Sequence, residues 1–182
     1  MKPKTLLILV AMLATGMSGI DTRTAAQTSR TSGVYLTAAD FQNSRLSFEG
    51  SCRSKDHKLS VHDFLHKPYI DVKHESEKHR YAKADLFGFR ACDRHDYRFA
   101  SNLEYQILEA KELYIYALDT QVSQGRTSRT VREYYFSVGD NGQIQMLTLE
   151  NLKRAFPENH RFHVWLDTTF GAGENLAEYD EG

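Results

Sequence analysis

The chain has 182 residues and nearly balanced charge, with 23 Lys and Arg residues against 24 Asp and Glu residues. This balance excludes the strongly basic composition of many nucleic-acid-binding proteins, so we expect no nucleic-acid partner. The hydrophobic fraction of 41%, which includes ten Tyr and ten Phe residues, excludes a wholly disordered chain.

The first 26 residues have the layout of a secretory signal peptide. Lys2 and Lys4 precede an apolar run at residues 6–14, and small residues follow as far as Ala26. The run is shorter than the roughly 20 residues that a membrane-spanning helix needs. We therefore expect cleavage, export to the periplasm or the extracellular space, and no membrane span in the mature chain. Removal of residues 1–26 would leave 156 residues, a usual size for one domain.

The mature chain is predicted to contain a single globular α+β domain. Residues 27–32 are small and polar and indicate a flexible arm, whereas residues 172–182 indicate a loose acidic tail. The domain between them covers residues 33–171. Near its start, Thr37 and Asp40 have the spacing of a capping box, which predicts a short N-terminal helix.

Strands are predicted for the middle of the domain, where apolar and polar residues alternate with a period of two. Short turns separate most of these segments, so we expect mainly antiparallel pairing. Several strands are apolar on both faces, which favours a curved sheet or a partly closed barrel. The clearest turn is Asn141-Gly142, which predicts a tight hairpin between residues 133–138 and 143–147 with Ile144 and Met146 pointing inward.

Two C-terminal helices complete the predicted domain. Thr148 is a suitable cap for a helix that Pro157 ends, and Asn159 is a suitable cap for a second helix at residues 160–170. A run of strands followed by helices is typical of the α+β class.

Cys52 and Cys92 are the only two cysteines of the chain. In an oxidising compartment two cysteines usually pair, so we predict a disulfide bond between them. The alternative is two separate buried thiols.

The segment from His62 to His66 is the sharpest pattern that could carry catalysis. On a helix, histidines four positions apart share a face and can bind one metal ion. Zinc proteases have Glu directly after the first His, whereas this chain has Asp63, and Pro68 shortens any helix here. We therefore predict no native zinc site and no cofactor. A metal-dependent or acid/base hydrolase centred on these histidines stays open as an alternative, with further ligands among His57, His74, Glu75, Glu77 and His79.

Arginines recur every third residue at Arg126, Arg129 and Arg132. Their guanidinium groups could bind phosphate, sulfate or acidic glycans through forked contacts. The simpler alternative is a solvated loop whose charges keep an edge strand from pairing.

Residues 33–48 (GVYLTAADFQNSRLSF) and 134–156 (YYFSVGDNGQIQMLTLENLKRAF) resemble uncharacterised exported proteins of Gram-negative bacteria. The resemblance covers most of the mature chain and implies export and a shared compact fold. It implies no activity, cofactor or catalytic residue.

The sequence thus favours an exported small domain that serves as a non-catalytic binding or structural module. Two alternatives are a hydrolase at His62 and His66, and a carbohydrate- or anion-binding surface on the hairpin that carries Arg126 and Arg132. The expected partners are a glycan, a small anion or another envelope protein.

Overall fold

The computed structural model describes residues 30–62, 66–124, 127–170 and 176. Outside these residues lie the predicted signal peptide, residues 27–29 of the predicted flexible arm, and the whole acidic tail except Leu176. The described residues form eleven strands: β1 (Thr31–Tyr35), β2 (Ser47–Ser51), β3 (Lys58–Ser60), β4 (Tyr69–His74), β5 (Glu77–Ala82), β6 (Gly88–Arg90), β7 (Asp96–Ala100), β8 (Leu103–Ala110), β9 (Leu113–Gln124), β10 (Thr127–Val138) and β11 (Gln145–Met146). They also form three α-helices: α1 (Ala38–Gln42), α2 (Leu149–Ala155) and α3 (His160–Phe170).

Eight strands form one large sheet in the order β11-β10-β9-β8-β7-β6-β1-β2. Every neighbouring pair is antiparallel, as the short turns of the sequence indicate. The sheet is open, because β11 and β2 are its two edges and do not pair with each other. The expectation of a partly closed barrel is therefore wrong. Strands that are apolar on both faces are covered by separate layers instead.

The remaining strands form a small sheet in the order β3-β4-β5, which the chain builds between β2 and β6. Its apolar side packs on one face of the large sheet. Ile70 and Val72 of β4 form a cluster there with Val34, Phe89 and Phe99 of the large sheet. The small sheet therefore has one buried side and one outer side, and we call the latter the outer face.

Helices cover other parts of the large sheet. On the face that carries the small sheet, Phe136 of β10 packs with Leu152 of α2 and Leu166 of α3. On the opposite face, Tyr35 of β1 packs with Ala38 of α1. Among the described residues, no helix is both long enough and apolar enough to cross a membrane.

The helix starts follow capping signals that are visible in the sequence. Thr37 and Asp40 bond reciprocally at the start of α1, each side chain accepting from the other residue's backbone N–H. Thr148 Oγ1 accepts from the backbone N–H of Asn151 at 3.1 Å at the start of α2. Asn159 Oδ1 accepts from the backbone N–H of Phe162 at 3.1 Å at the start of α3.

The β9–β10 hairpin is the longest element and reaches beyond its neighbours. The ladder between β8 and β9 reaches only the pair Gln106–Ala117, and β11 pairs only with Tyr135 and Phe136. Residues 118–124 and 127–133 therefore form a two-stranded ribbon, which we call the hairpin arm.

The predicted hairpin between β10 and β11 is present, but its turn differs from the expectation. Six residues, 139–144, separate the two strands, and the positive φ lies at Gly139 (69°). Ile144 packs against the core, whereas Met146 is 39% exposed and does not point inward. The strand pair nearest the turn is Phe136 with Gln145, so the connection between the strands is longer than a two-residue turn.

Cys52 and Cys92 form a disulfide bond, with their Cα atoms 5.8 Å apart. Cys52 follows β2 and Cys92 lies shortly after β6, so the bond joins the two strands that flank β1. The disulfide prediction is confirmed. The closed loop contains the whole small sheet.

One ion pair is buried inside the fold. The side chain of Lys83 is 1% exposed and contacts the carboxylate of Glu104. The Lys83 ammonium also donates to the backbone oxygen of Asn102 at 3.0 Å and lies 5.7 Å from the centre of the Phe99 ring. Loss of either partner would leave the other charge buried and unpaired, which costs several kcal/mol of folding free energy.

Candidate anion-binding surface

His62 and His66 do not lie on a helix. Both have positive φ angles, 59° and 45°, which an α-helix does not allow. His62 Nε2 lies 2.8 Å from Asp71 Oδ2, whereas His66 is exposed. Asp63, the candidate base, lies outside the described residues. The described part of this segment therefore does not present the two rings on one helical face.

Asp71 is hydrogen-bonded to both His62 and Arg80. Arg80 donates to both oxygens of Asp71, at 2.8 and 3.3 Å, and the guanidinium lies 4.0 Å from the centre of the Tyr69 ring. The hydrogen bonds from Arg80, followed by the one from His62, lower the pKa of Asp71 to about 2. The carboxylate therefore stays ionised at neutral pH and is occupied by its two partners.

The other histidines named as candidate ligands lie behind the small sheet. His57 is buried, and its Nε2 lies 2.8 Å from Ser32 Oγ. The rings of His57 and His74 are 6.1 Å apart, and the Nδ1 atoms of both are buried without a partner in the described structure. Burial, followed by the nearby His74, lowers the pKa of His57. In the part of the chain that the structure describes, no three His, Cys, Asp or Glu side chains are grouped as a metal site.

The arginines of the hairpin arm are not brought together. Arg129 lies opposite Val122 and Arg132 lies opposite Asp119, so the two arginines are on opposite faces of the ribbon. An odd spacing along a strand always has this result. Arg132 also donates to both carboxylate oxygens of Asp119, at 2.7 and 2.8 Å. Arg126 lies outside the described residues.

Three lysines form a straight row across the outer face. Lys58 of β3 lies opposite Lys73 of β4, and Lys73 lies opposite Lys78 of β5. Residues directly opposite each other in a sheet point to the same side, and we call these three residues the lysine row. Neighbouring strands are about 4.8 Å apart, so the row is roughly 10 Å long at its backbone. It runs at right angles to the strands.

The sheet pattern directs the lysine row to solvent. The neighbours of its members, Leu59 and Val72, pack in the core on the other side of the small sheet. Lys58 and Lys78 are exposed and make no ion pair with any described residue. The ammonium of Lys73 donates to the backbone oxygen of Lys55 at 2.6 Å and lies 3.9 Å from Asp56 Oδ1.

The lysine row is unfavourable for the folded protein by itself. Like charges directly opposite in a sheet repel each other, and two unit charges about 5 Å apart repel by just under 1 kcal/mol in water. Salt at physiological strength, with a Debye length of about 8 Å, lowers this repulsion further. A bound anion would remove it.

The next row on the outer face contains residues of both charges. Ser60, Asp71 and Arg80 lie opposite one another, one step away from the lysine row on the same side. The two rows together carry four cations and one carboxylate: Lys58, Lys73, Lys78, Arg80 and Asp71. A chain with nearly balanced charge thus has a locally basic face.

The sequence contains only part of the signal for this row. Lys73 and Lys78 are placed symmetrically about Glu75-Ser76, which is the pattern of a hairpin. Lys58 belongs to a separate strand 15 positions before Lys73, and its register cannot be read from local spacing. The sequence reasoning therefore missed the row.

Comparison of the chain with models of protein families, with curated proteins and with solved structures finds no match.

Proposed function

We propose that this chain is an exported, non-catalytic binding domain that binds anionic ligands through the lysine row. The single observation that carries the proposal is the cross-strand alignment of Lys58, Lys73 and Lys78 on an exposed sheet face. The disulfide bond is compatible with an oxidising location outside the cytosol. The signal-peptide layout of residues 1–26 predicts the same location.

The two alternatives have less support. A hydrolase at His62 and His66 would need both rings at one centre, whereas His62 is bound to Asp71 and His66 is exposed. An anion site on the hairpin arm would need converging arginines, whereas Arg129 and Arg132 are on opposite faces. The lysine row is a set of cations that the tertiary structure does align.

Binding of fluorescent dextran sulfate, a soluble polyanion, tests the proposal. The row variant Lys58→Gln/Lys73→Gln/Lys78→Gln removes the three charges from the outer face. A basic residue near an anionic surface contributes on the order of 1 kcal/mol, so loss of three should weaken binding at least about tenfold. Binding of the native protein should also weaken as salt is added.

A matched control removes the same charge elsewhere. The control variant Lys111→Gln/Arg129→Gln/Lys153→Gln alters three cations outside the small sheet. It should bind dextran sulfate within about twofold of the native protein if position rather than net charge decides. If both variants lose dextran sulfate binding equally while circular dichroism shows that both are folded, binding is not specific to the lysine row. Loss in the control alone would show that the ligand binds outside the small sheet and would contradict the proposal.

A further inference from the structure

We infer that the ligand of the lysine row is a linear acidic polysaccharide that crosses the small sheet at right angles to its strands. This inference rests on the proposed function and adds the class of the ligand. It follows from the shape of the basic area, from its borders and from the side chains beside it.

The basic area is one residue wide and three residues long. The lysine row occupies a single register position in each of β3, β4 and β5. The backbones of its two outer members are about two strand spacings apart, roughly 10 Å, so the row can extend along a ligand that carries several charges. A chain molecule with a charge on each repeating unit can place successive charges beside successive lysines.

Carboxylates border the row along both of its long sides. On the side of the β4–β5 turn lies Asp56, which is 3.9 Å from the Lys73 ammonium and accepts a hydrogen bond from Ser76 Oγ at 2.8 Å. On the other side lies Asp71. A flat anionic membrane would bring its headgroups against these carboxylates as well as against the lysines. A narrow polyanion avoids them, so the borders favour a linear ligand.

The aromatic side chain beside the row is already covered. The Tyr69 ring has the Arg80 guanidinium 4.0 Å from its centre and the Lys67 ammonium 5.6 Å from its centre. Proteins that bind single-stranded nucleic acids use free aromatic faces on which bases stack. The adjacent row offers a hydroxyl at Ser60 instead, which suits a sugar hydroxyl. Lysine, unlike arginine, lacks a fork that selects one anion geometry, so carboxylate or sulfate groups on sugars are both suitable.

Oligogalacturonates of defined length test the inference directly. Isothermal calorimetry would compare the monomer, trimer and hexamer with the full native chain as purified. We expect the hexamer to bind at least about tenfold more tightly than the monomer at equal carboxylate concentration, because three lysines act together. The row variant should abolish this dependence on length.

A second control lies just before β4 and outside the row. Lys67→Gln removes a cation next to Tyr69 and should change hexamer binding by less than about twofold, whereas Lys58→Gln or Lys78→Gln alone should each weaken it severalfold. If Lys67→Gln is as damaging as Lys58→Gln, the ligand does not follow the row and the inference is wrong.

Competing ligands separate this inference from the proposed function. Vesicles with equal parts of phosphatidylglycerol and phosphatidylcholine, and a single-stranded oligothymidylate of six phosphates, would be tested beside the hexamer. Tighter row-dependent binding of either one, or equal binding of monomer and hexamer, overturns the acidic polysaccharide while row-dependent anion binding stands. If none of these probes, dextran sulfate included, shows binding that depends on the lysine row, both the inference and the proposed function are wrong.

Discussion

Replacing both cysteines by serine removes the link between the ends of β2 and β6. In the chain-entropy account, a disulfide stabilises the fold by limiting the freedom of the unfolded chain. The two cysteines are 40 positions apart, and a loop of that size corresponds to about 4 kcal/mol. For a domain of this size 1 kcal/mol shifts the melting temperature by roughly 2–4 °C, so Cys52→Ser/Cys92→Ser should melt roughly 8–16 °C lower.

Thermal and urea unfolding of the native protein and the double variant would measure this effect. Reductant should lower the melting temperature of the native protein by the same amount and leave the double variant unchanged. Amide hydrogen exchange should accelerate most in β2, since this edge strand is paired on one side only. A loss of less than about 1 kcal/mol would refute the reasoning, because the loop-closure term alone is several times larger.

Three further changes test the interior of the fold. Lys83→Met or Glu104→Leu alone should each cost roughly 3–5 kcal/mol in urea unfolding, whereas the double variant should cost less than either; additive losses would contradict the ion pair. Because the pKa of His57 is lowered in the folded state, the unfolded chain binds its proton more readily, so stability should fall as the pH drops below about 6.5. His57→Gln should flatten this profile and His66→Asn should not; an unchanged His57→Gln profile would show that another group causes the dependence. Thr37→Ala should cost about 1 kcal/mol in urea unfolding through loss of the α1 cap, and Thr37→Ser should restore most of it; equal stability of both variants would refute the cap.

Much of the local structure could be predicted because its causes are local. Thr148 and Asn159 lie where the backbone of a new helix needs acceptors, so α2 and α3 begin where the sequence indicates. The disulfide between Cys52 and Cys92 followed from the cysteine count and the expected compartment. Antiparallel pairing followed from short turns between strands.

Other predictions failed because they depended on contacts between distant segments. A partly closed barrel was consistent with strands that are apolar on both faces, but the small sheet and the C-terminal helices supply the second cover instead. The spacing of His62 and His66 suits a metal only on a helix. The structure gives both residues positive φ and binds His62 to Asp71, nine positions away.

The sequence by itself determined the helix caps, the period of the strands, the disulfide pair and the balance of charge, because each depends on residues close in the chain or on composition. The tertiary structure alone decided where the charge is concentrated. Lys58 meets Lys73 only through the register of β3 on β4, and Arg129 is separated from Arg132 by the two sides of one strand. Register is set by which side chains are buried across the whole sheet, so a cross-strand row of cations cannot be read from local spacing.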